Sequence, residues 1–188
     1  MFILYAIAIG LLVGMVGGGR IASIGDIRLR WAPLILVGFG AQVLLFSDAV
    51  ASRVGDLGPV LYVASTLVVV VAVVRNVAIP GLPLVVVGAT CNLCAIIANG
   101  GFMPASASAM AALGKAAPTI YSNSAVVAHP ALAPLTDVFA LPTWLPWHNV
   151  FSIGDVILAA GVAMAVSVAM RRGTDAGPGT RSGGAWEH

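Results

Sequence analysis

The sequence predicts an all-α integral membrane protein with five transmembrane helices, and three observations support this prediction. Hydrophobic residues make up 60% of the chain and charged residues only 9%, a balance that is unusual for soluble domains. Five long runs contain no charged side chain. Seven of the nine Lys and Arg residues fall on one side of these runs, as the positive-inside rule expects of a multi-pass protein.

The five apolar runs are the predicted spans. A transmembrane helix needs about 20 mostly apolar residues, with a lower limit near 17, so the third and fifth runs are expected to borrow flanking residues. Because lipid offers no hydrogen-bond partners and the runs show no alternating polarity, each is predicted to be a helix. In chain order the runs are Phe2–Gly19, Trp31–Ser47, Pro59–Val74, Val77–Ala98 and Val156–Met170.

The basic residues orient the chain in a bacterial cytoplasmic (inner) membrane. The seven that fall together are Arg20, Arg28, Arg30, Arg75, Arg171, Arg172 and Arg181, whereas Arg53 and Lys115 fall on the other side. This distribution places the N-terminus outside and the C-terminus in the cytoplasm. The first run has no basic start and no cleavage site, so we expect it to be retained. The net charge of +2 comes from membrane-flanking arginines, and no nucleic-acid partner is expected.

Residues 1–172 are predicted to form one polytopic membrane domain with a long structured outer loop, about residues 99–151, between helices 4 and 5. This loop holds six of the eleven prolines, and its Trp144 and Trp147 are suited to the membrane interface. Ala105–Leu113 is expected to form a short helix that ends at Gly114. The Gly-rich residues 173–188 are predicted to be a disordered cytoplasmic tail.

Small and polar residues within the runs are expected to serve packing. Gly10, Gly14 and Gly18 form a small-xxx-small pattern, which favours close approach of another helix of the same chain over a dimer face. Gln42 is expected to hydrogen-bond a neighbouring helix. The Cys91-x-x-Cys94 pair suggests a redox or zinc site, but zinc wants four ligands and the chain has no other cysteine.

Two aspartates form the candidate catalytic pair. Asp137 lies in the outer loop, and Asp155 stands just before the last run. If the intervening chain folds back, the carboxylates meet and share a proton, so that one activates water while the other protonates a carbonyl or leaving group. Ionisable groups near the hydrocarbon edge are costly, which makes them functional candidates. Asn92, Asn99 and Ser152 are the supporting polar residues, and the first two, seven residues apart, share a helix face.

A structural interpretation accounts for Asp155 equally well. Ser152-x-x-Asp155 before an apolar run is a capping-box pattern, in which each side chain satisfies a backbone amide at the helix start. A carboxylate there also favours the positive end of the helix dipole. Gly25-Asp26 and Gly55-Asp56 also precede apolar runs, so Gly154-Asp155 fits a helix start that recurs in this chain. Capping leaves Asp137 unexplained.

The segments around both aspartates resemble the bacterial lipoprotein signal peptidases. Phe151-Ser152-Ile153-Gly154-Asp155 is similar to their Phe-Asn-x-Ala-Asp motif, Thr136-Asp137-Val138-Phe139 to their Val-Val-Asp-Phe motif, and Gly88–Asn92 more faintly to a third. The resemblance implies an aspartic dyad of Asp137 and Asp155 that cleaves near the outer surface, above a lipid-modified cysteine. The chain departs from that family in its five predicted helices, in its outside N-terminus and in lacking the Asn-x-x-Asp-Arg motif.

A second resemblance covers nearly the whole chain. Asn99-Gly100-Gly101-Phe102-Met103-Pro104, residues 134–139 and Phe151–Gly161 together resemble a family of small bacterial integral membrane proteins of unknown function. This resemblance implies the membrane topology and no activity.

Neither a metal nor a cofactor is expected. His129 and His148 lie in the outer loop with Asp137 and could supply three ligands, but loop histidines are more often solvated. The chain has no phosphate-binding Gly-rich loop and no dinucleotide fingerprint.

Three functions remain open. The first is a non-catalytic scaffold or subunit whose Asn/Asp cluster holds the outer loop. The second is an aspartic intramembrane peptidase-like enzyme that uses Asp137 and Asp155. The third is a small transporter or lipid-binding protein, although transporters usually show internal repeats and this chain shows none. The expected partners are the lipid bilayer and, in the second case, a membrane-embedded protein or lipid-modified peptide.

Overall fold

The computed structural model describes residues 2–114 and 124–175. The chain is mostly helical, and each of the five apolar runs forms a helix. The α-helices are α1 (Phe2–Val16), α2 (Ala32–Leu45), α3 (Asp48–Val54), α4 (Leu57–Val74), α5 (Leu82–Ala98), α6 (Ala107–Ala112) and α7 (Ile153–Asp175). Two 3₁₀ helices, Ile21–Asp26 and Ala133–Leu135, complete the helical part.

The largest differences between the helix boundaries and the predicted runs are at α5 and α7. The fourth run was expected from Val77, but α5 begins at Leu82 because Pro80 lacks an amide donor and Gly81 adopts a φ of +90°. The fifth run gains flanking residues, as expected, and α7 continues to Asp175. Residues 173–175 are therefore helical, which corrects their assignment to a disordered tail. The rest of that predicted tail, residues 176–188, lies outside the described residues.

The lengths of the helices bear on membrane insertion. Within the described ranges, α4 and residues 153–172 of α7 are each long and apolar enough to cross a membrane. Helices α2 and α3 would form a third span if taken together, although the chain bends by 79° between them. Helices α1 and α5 are apolar but shorter, with 15 and 17 residues. The chain thus has two or three helices that fit a membrane protein, and five spans remain a prediction.

Glycines bring α7 close to both of its neighbours. On α1, a Cβ at Gly10 would meet the Ala163 carbonyl oxygen at 2.8 Å, and one at Gly14 would meet the Met170 side chain. The intramolecular packing predicted for this pattern is therefore confirmed at two of its three glycines, whereas a Cβ at Gly18 would meet no atom of another helix within 4 Å. On the α5 side, a Cβ at Gly161 would meet the Val85 nitrogen at 2.7 Å.

The two neighbours of α7 run in opposite directions: α1 is parallel to α7 and α5 is antiparallel to it. The rings of Phe2 and Phe151 stack 4.7 Å apart at the start of α1 and α7, so these two helices run parallel. Helix α5 runs antiparallel to α7, since Gly81 lies beside Gly161 and Gly88 beside Gly154. Helices α2 and α4 are also antiparallel.

As predicted, Gln42 hydrogen-bonds a neighbouring helix. Its Nε2 on α2 donates to Thr66 Oγ1 on α4 at 3.1 Å. The same helix pair meets at Gly38, where Val69 and the Ser65 carbonyl leave no space for a Cβ.

The arginine-rich loops meet at one end of the bundle, here called the arginine end, which comprises Arg20, Arg28, Arg30, Arg75, Arg171 and Arg172. The backbone amide of Arg20 donates to the Met170 carbonyl at 2.9 Å, and the Arg171 guanidinium donates to the Val13 carbonyl at 3.2 Å. The buried Asn76 binds both backbone groups of Arg30, at 2.7 and 2.8 Å. The first two bonds join α1 to α7, and those of Asn76 join the end of α4 to the segment just before α2.

The 99–151 segment contains short strands, which corrects the all-α prediction for this part of the chain. Strand β1 (Met103–Ala105) pairs in parallel with β2 (Ser124–Val126), and β3 (Phe139–Ala140) pairs antiparallel with β4 (Val150–Phe151). Helix α6 forms where the sequence predicts it. The Ser106 hydroxyl caps its start by accepting from the Ala109 amide, and Gly114 follows its end with a φ of +62°.

Two hydrophobic clusters hold this segment in place. Met103 of β1 packs with Leu45, Tyr62 and Ile96 of the helical bundle. A second cluster, with Met110 of α6 and Val150 of β4, lies within the segment itself.

Candidate functional site

Asp155 lies in the first turn of α7 and caps its own helix. The Ser152 backbone amide donates to Asp155 Oδ2 at 3.0 Å, and the Asp155 backbone amide donates to Ser152 Oγ at 3.1 Å. This reciprocal pair satisfies two of the amides that every helix start leaves without an intrahelical partner. The capping box predicted from the Ser-x-x-Asp spacing is therefore confirmed.

Asn92 of α5 extends the cap across the helix interface. Its Nδ2 donates to Asp155 Oδ1 at 2.7 Å, and its Oδ1 accepts from the Ser152 hydroxyl at 2.9 Å. The backbones must approach closely for this, and a Cβ at Gly154 would overlap the Asn92 amide oxygen. Asn92, Ser152 and Asp155 thus form one hydrogen-bonded network, here called the cap network, in which both Asp155 carboxylate oxygens accept a bond.

Asp137 is held beside β1 through its backbone. Its amide donates to the Pro104 carbonyl at 2.8 Å, and its carbonyl accepts from the Ser106 amide at 3.0 Å. These bonds form a parallel bridge to Ala105, so residue 137 extends the small sheet on the side opposite β2. The position of Asp137 therefore follows from main-chain pairing and does not depend on its carboxyl group.

The Asp137 side chain is buried without full hydrogen bonding. It is only 6% exposed, and its Oδ1 has no hydrogen-bond partner among the described residues. Burial, and then the negative charge of Asp155, raise the pKa of Asp137 from its ordinary 3.8 to about 7. A buried carboxyl group that lacks partners favours its protonated form, and a second carboxylate in range adds to that preference.

The predicted pair therefore occupies two unlike environments. Asp155 is half-buried and accepts two charge-assisted hydrogen bonds, whereas Asp137 is buried and incompletely satisfied. The two carboxyl groups interact electrostatically, since the charge of Asp155 contributes to the raised pKa of Asp137. Near neutral pH, Asp137 can both hold and release a proton, which is the property that general acid or base chemistry needs.

Asn99 stands apart from this pair, although the sequence places it on the same helix face as Asn92. It ends α5, and its Nδ2 donates to the carbonyls of Ala95 and Ala131 at 2.8 and 2.9 Å. Its Oδ1 accepts from the Ala131 amide at 2.9 Å. Asn99 therefore fastens the 99–151 segment to the end of α5 by main-chain contacts and does not join the cap network.

Sequence reasoning missed Asn76, which makes the same kind of contact at the arginine end. Each of these asparagines follows an apolar helix, binds a carbonyl one turn back and clamps both backbone groups of a distant residue. The sequence signal that could have identified Asn76 is a single Asn just after the end of an apolar run. Buried Thr136, whose hydroxyl donates to the Ala133 carbonyl at 2.8 Å, was also missed.

The other candidate ligands do not converge on a site. His129 is exposed, and a ring nitrogen of His148 lies 3.2 Å from the Leu145 carbonyl oxygen. Over residues 2–114 and 124–175, no three His, Cys, Asp or Glu side chains form a group that could hold a metal ion. Cys91 is half-buried and Cys94 exposed, and both thiols are free.

Comparisons with known proteins identify the family and leave its activity open. The chain matches a family of unknown function (DUF5317) over residues 26–167, about three quarters of its length, including both aspartates and the cap network. No curated protein and no solved structure matches the chain. The resemblance to an uncharacterised family is confirmed, while the resemblance to lipoprotein signal peptidases stays a prediction. The chain belongs to the DUF5317 family of unknown function.

Proposed function

We propose that this protein is a multi-pass protein of the bacterial cytoplasmic membrane that acts as a non-catalytic scaffold or subunit. In this proposal the chain crosses the bilayer five times, with the N-terminus and the 99–151 segment outside and the C-terminus in the cytoplasm. The segment then presents a fixed surface to a partner protein. The observation that carries the proposal is the cap network, because it commits both oxygens of Asp155 to structural hydrogen bonds.

The packing of the helices supports five crossings. Helices α1 and α7 run parallel, while α5 runs antiparallel to α7 and α2 antiparallel to α4. These are the directions that successive crossings of helices α1, α2, α4, α5 and α7 would produce. Six of the seven described arginines also lie together, as an orientation with the arginine end in the cytoplasm requires, and only Arg53 lies at the other end. Spans as short as α1 and α5 are accommodated by local thinning of the bilayer and by flanking residues.

The attachments of the 99–151 segment support a scaffold. Asn99 clamps the backbone of Ala131, and Asp137 is paired with β1 through its main chain. The Tyr5 hydroxyl of α1 also donates to the Pro146 carbonyl. The segment is thus tied to the bundle at several points, as expected of a surface that must keep its shape. Trp144, 79% exposed, lies on that surface.

The topology is tested by labelling single cysteines in whole cells. In a Cys91→Ser, Cys94→Ser background, Trp144→Cys is expected to react with a membrane-impermeant maleimide, and Ala22→Cys is expected to react only after the cells are opened. Both native residues are exposed, so reactivity reports the side of the membrane. Equal labelling of the two positions in intact cells would contradict the orientation.

A second candidate function is an aspartic peptidase that cleaves a membrane-embedded or lipid-modified peptide, and the state of Asp137 favours it. A buried carboxyl with a pKa of about 7 beside a second carboxylate matches the single shared proton of such a pair. Asp155 would accept a proton from water as the water oxygen attacks the peptide carbonyl carbon. Asp137 would donate its proton to the carbonyl oxygen. Collapse of the intermediate would break the C–N bond as the nitrogen takes the proton held by Asp155 and a hydroxyl of the intermediate returns a proton to Asp137.

Photocrosslinking separates the two functions. With a photoreactive residue at position 144, a scaffold is expected to give the same adduct with a membrane protein in the native chain and in Asp137→Asn. A peptidase that holds its substrate there is expected to accumulate more adduct in Asp137→Asn and Asp155→Asn, because the bound substrate is no longer cleaved. If no position in the 99–151 segment gives a defined adduct in any of the three proteins, the scaffold proposal fails.

A further inference from the structure

A pocket of about 320 Å³ lies at the arginine end, away from the two aspartates. It is bounded by the 3₁₀ helix after α1, by the turn that precedes α5 and by the last turns of α7. The side chains that matter are Asp26, Arg28, Ile79, Pro80, Val168 and Arg172. Three parts of the chain that are distant in sequence thus build one concave site.

The charged groups of the pocket leave it with a net positive charge. Arg28 and Arg172 contribute two positive charges against the single negative charge of Asp26. Neither guanidinium takes part in a hydrogen bond or ion pair with another described residue. Arg171, the immediate neighbour, differs because it donates to the Val13 carbonyl and helps to join α1 to α7. Among the described residues, the fold therefore uses Arg171 to join two helices and uses neither the Arg28 nor the Arg172 guanidinium.

Apart from Ser23, the remaining wall of the pocket is apolar. Ile79 and Pro80 form one side and Val168 of α7 another, so the pocket combines two guanidinium groups with a hydrocarbon surface. Guanidinium groups bind phosphate oxygens through paired, charge-assisted hydrogen bonds. Basic pockets between helices on the cytoplasmic side of membrane proteins are suited to anionic lipid head groups. A free phosphate ion would use the two arginines and leave the apolar wall without a role.

We propose that this pocket binds the phosphate group of an anionic phospholipid of the inner leaflet, with Arg28 and Arg172 as its ligands and the lipid chains along α7. The proposal rests on the membrane location and orientation given above. The location is tested separately by the cysteine labelling, so a failure of lipid binding and a failure of the topology give different results.

The test measures lipid binding by the full chain purified in a neutral maltoside detergent. The midpoint of thermal unfolding is followed during titration with phosphatidylglycerol, with phosphatidylcholine and with inorganic phosphate. Phosphatidylglycerol is expected to raise the midpoint in a saturable manner that weakens with salt, and the other two are expected to leave it nearly unchanged.

Substitutions assign the effect to the pocket. Arg28→Gln and Arg172→Gln are each expected to weaken phosphatidylglycerol binding about fivefold, the factor for about 1 kcal/mol per arginine, and the double variant about 25-fold. Arg53→Gln at the opposite end and Arg20→Gln at the arginine end but outside the pocket are the matched controls. Both controls are expected to bind as the native chain does. All four positions are exposed, and the midpoint without lipid checks that each variant folds.

Three outcomes would overturn the proposal. Equal shifts with phosphatidylcholine would indicate that any lipid suffices, and equal shifts with inorganic phosphate would indicate an ion site without a lipid. An affinity that falls as much in Arg20→Gln as in Arg28→Gln would indicate diffuse attraction to the whole basic surface.

Discussion

Replacing Asp137 by Asn is expected to remove a large part of the pH dependence of stability. The pKa of this carboxyl group rises from 3.8 to about 7 on folding, chiefly because the side chain is buried and secondarily because Asp155 is negatively charged. A difference of that size corresponds to about 4 kcal/mol, at 1.36 kcal/mol for each pH unit. Only 6% of the side chain is exposed, so solvent screening reduces this value little.

The sign of the effect follows from the direction of the pKa change. The folded protein binds the Asp137 proton more tightly than the unfolded chain does, so the stabilisation is complete below about pH 4. It is lost progressively as the pH rises toward and through about 7. The native chain should therefore lose stability between pH 5 and pH 8, while Asp137→Asn, which cannot ionise, should lose much less. At pH 8 the variant should be the more stable protein.

The assay is unfolding of the purified protein in mixed micelles by sodium dodecyl sulfate, followed by circular dichroism at several pH values. The two proteins differ only at residue 137, so the contributions of all other groups are compared directly in the difference. The reasoning would be refuted if the two proteins showed the same slope between pH 5 and pH 8. A variant less stable than the native chain at pH 8 would refute it equally.

Three further substitutions test the contacts around the site. Gly154→Ala should cost about 1–3 kcal/mol of unfolding free energy, because the new Cβ would displace Asn92. Gly40→Ala is the control: a Cβ there would lie in open space, so the substitution should cost nothing or stabilise α2. Equal thermal melting of the two variants would contradict the prediction. Ser152→Ala should cost about 1 kcal/mol by removing the cap, and Ser152→Thr should retain most of it in the same melt. Asn99→Ala removes two hydrogen bonds to the Ala131 backbone and should speed hydrogen exchange of the Ala131 amide at least tenfold, since about 1.4 kcal/mol corresponds to a tenfold change. Asn76→Ala, the equivalent change at the arginine end, should leave the exchange rate of that amide unchanged.

The sequence predicted the helices and the cap better than their boundaries and surroundings. Apolar composition predicts a helix in every run, because a helix pairs the backbone N–H and C=O groups of an apolar segment within the segment itself. The predicted start of α5 was wrong because the apolar run extends on both sides of Pro80 and Gly81. These two residues set the start of the helix through their backbone conformation, and they do not interrupt the apolar pattern. The Ser152–Asp155 cap was predictable because its partners lie three residues apart.

The burial of Asp137 was not predictable from its neighbours in sequence. It results from the pairing of Asp137 with Ala105 of β1, a strand that begins more than thirty residues earlier. Strands of two or three residues are too short to show alternating polarity, so neither small sheet left a pattern to read. Contacts such as Asn99 to Ala131 have the same origin, because an asparagine that binds backbone atoms places no demand on the identity of its partner.

The position of α7 between α1 and α5 has a consequence for how the protein assembles. Helix α1 packs chiefly on α7, so among the described helices the first to leave the ribosome depends on the last. In the proposed five-span topology, the face of α1 that carries Gly10 and Gly14 would be turned toward lipid until α7 is inserted. Small-residue faces of that kind attract other helices. Synthesis that stops before Ile153 should therefore leave a chain whose first helix is open to foreign partners, and quality control of nascent membrane proteins has a defined surface to recognise.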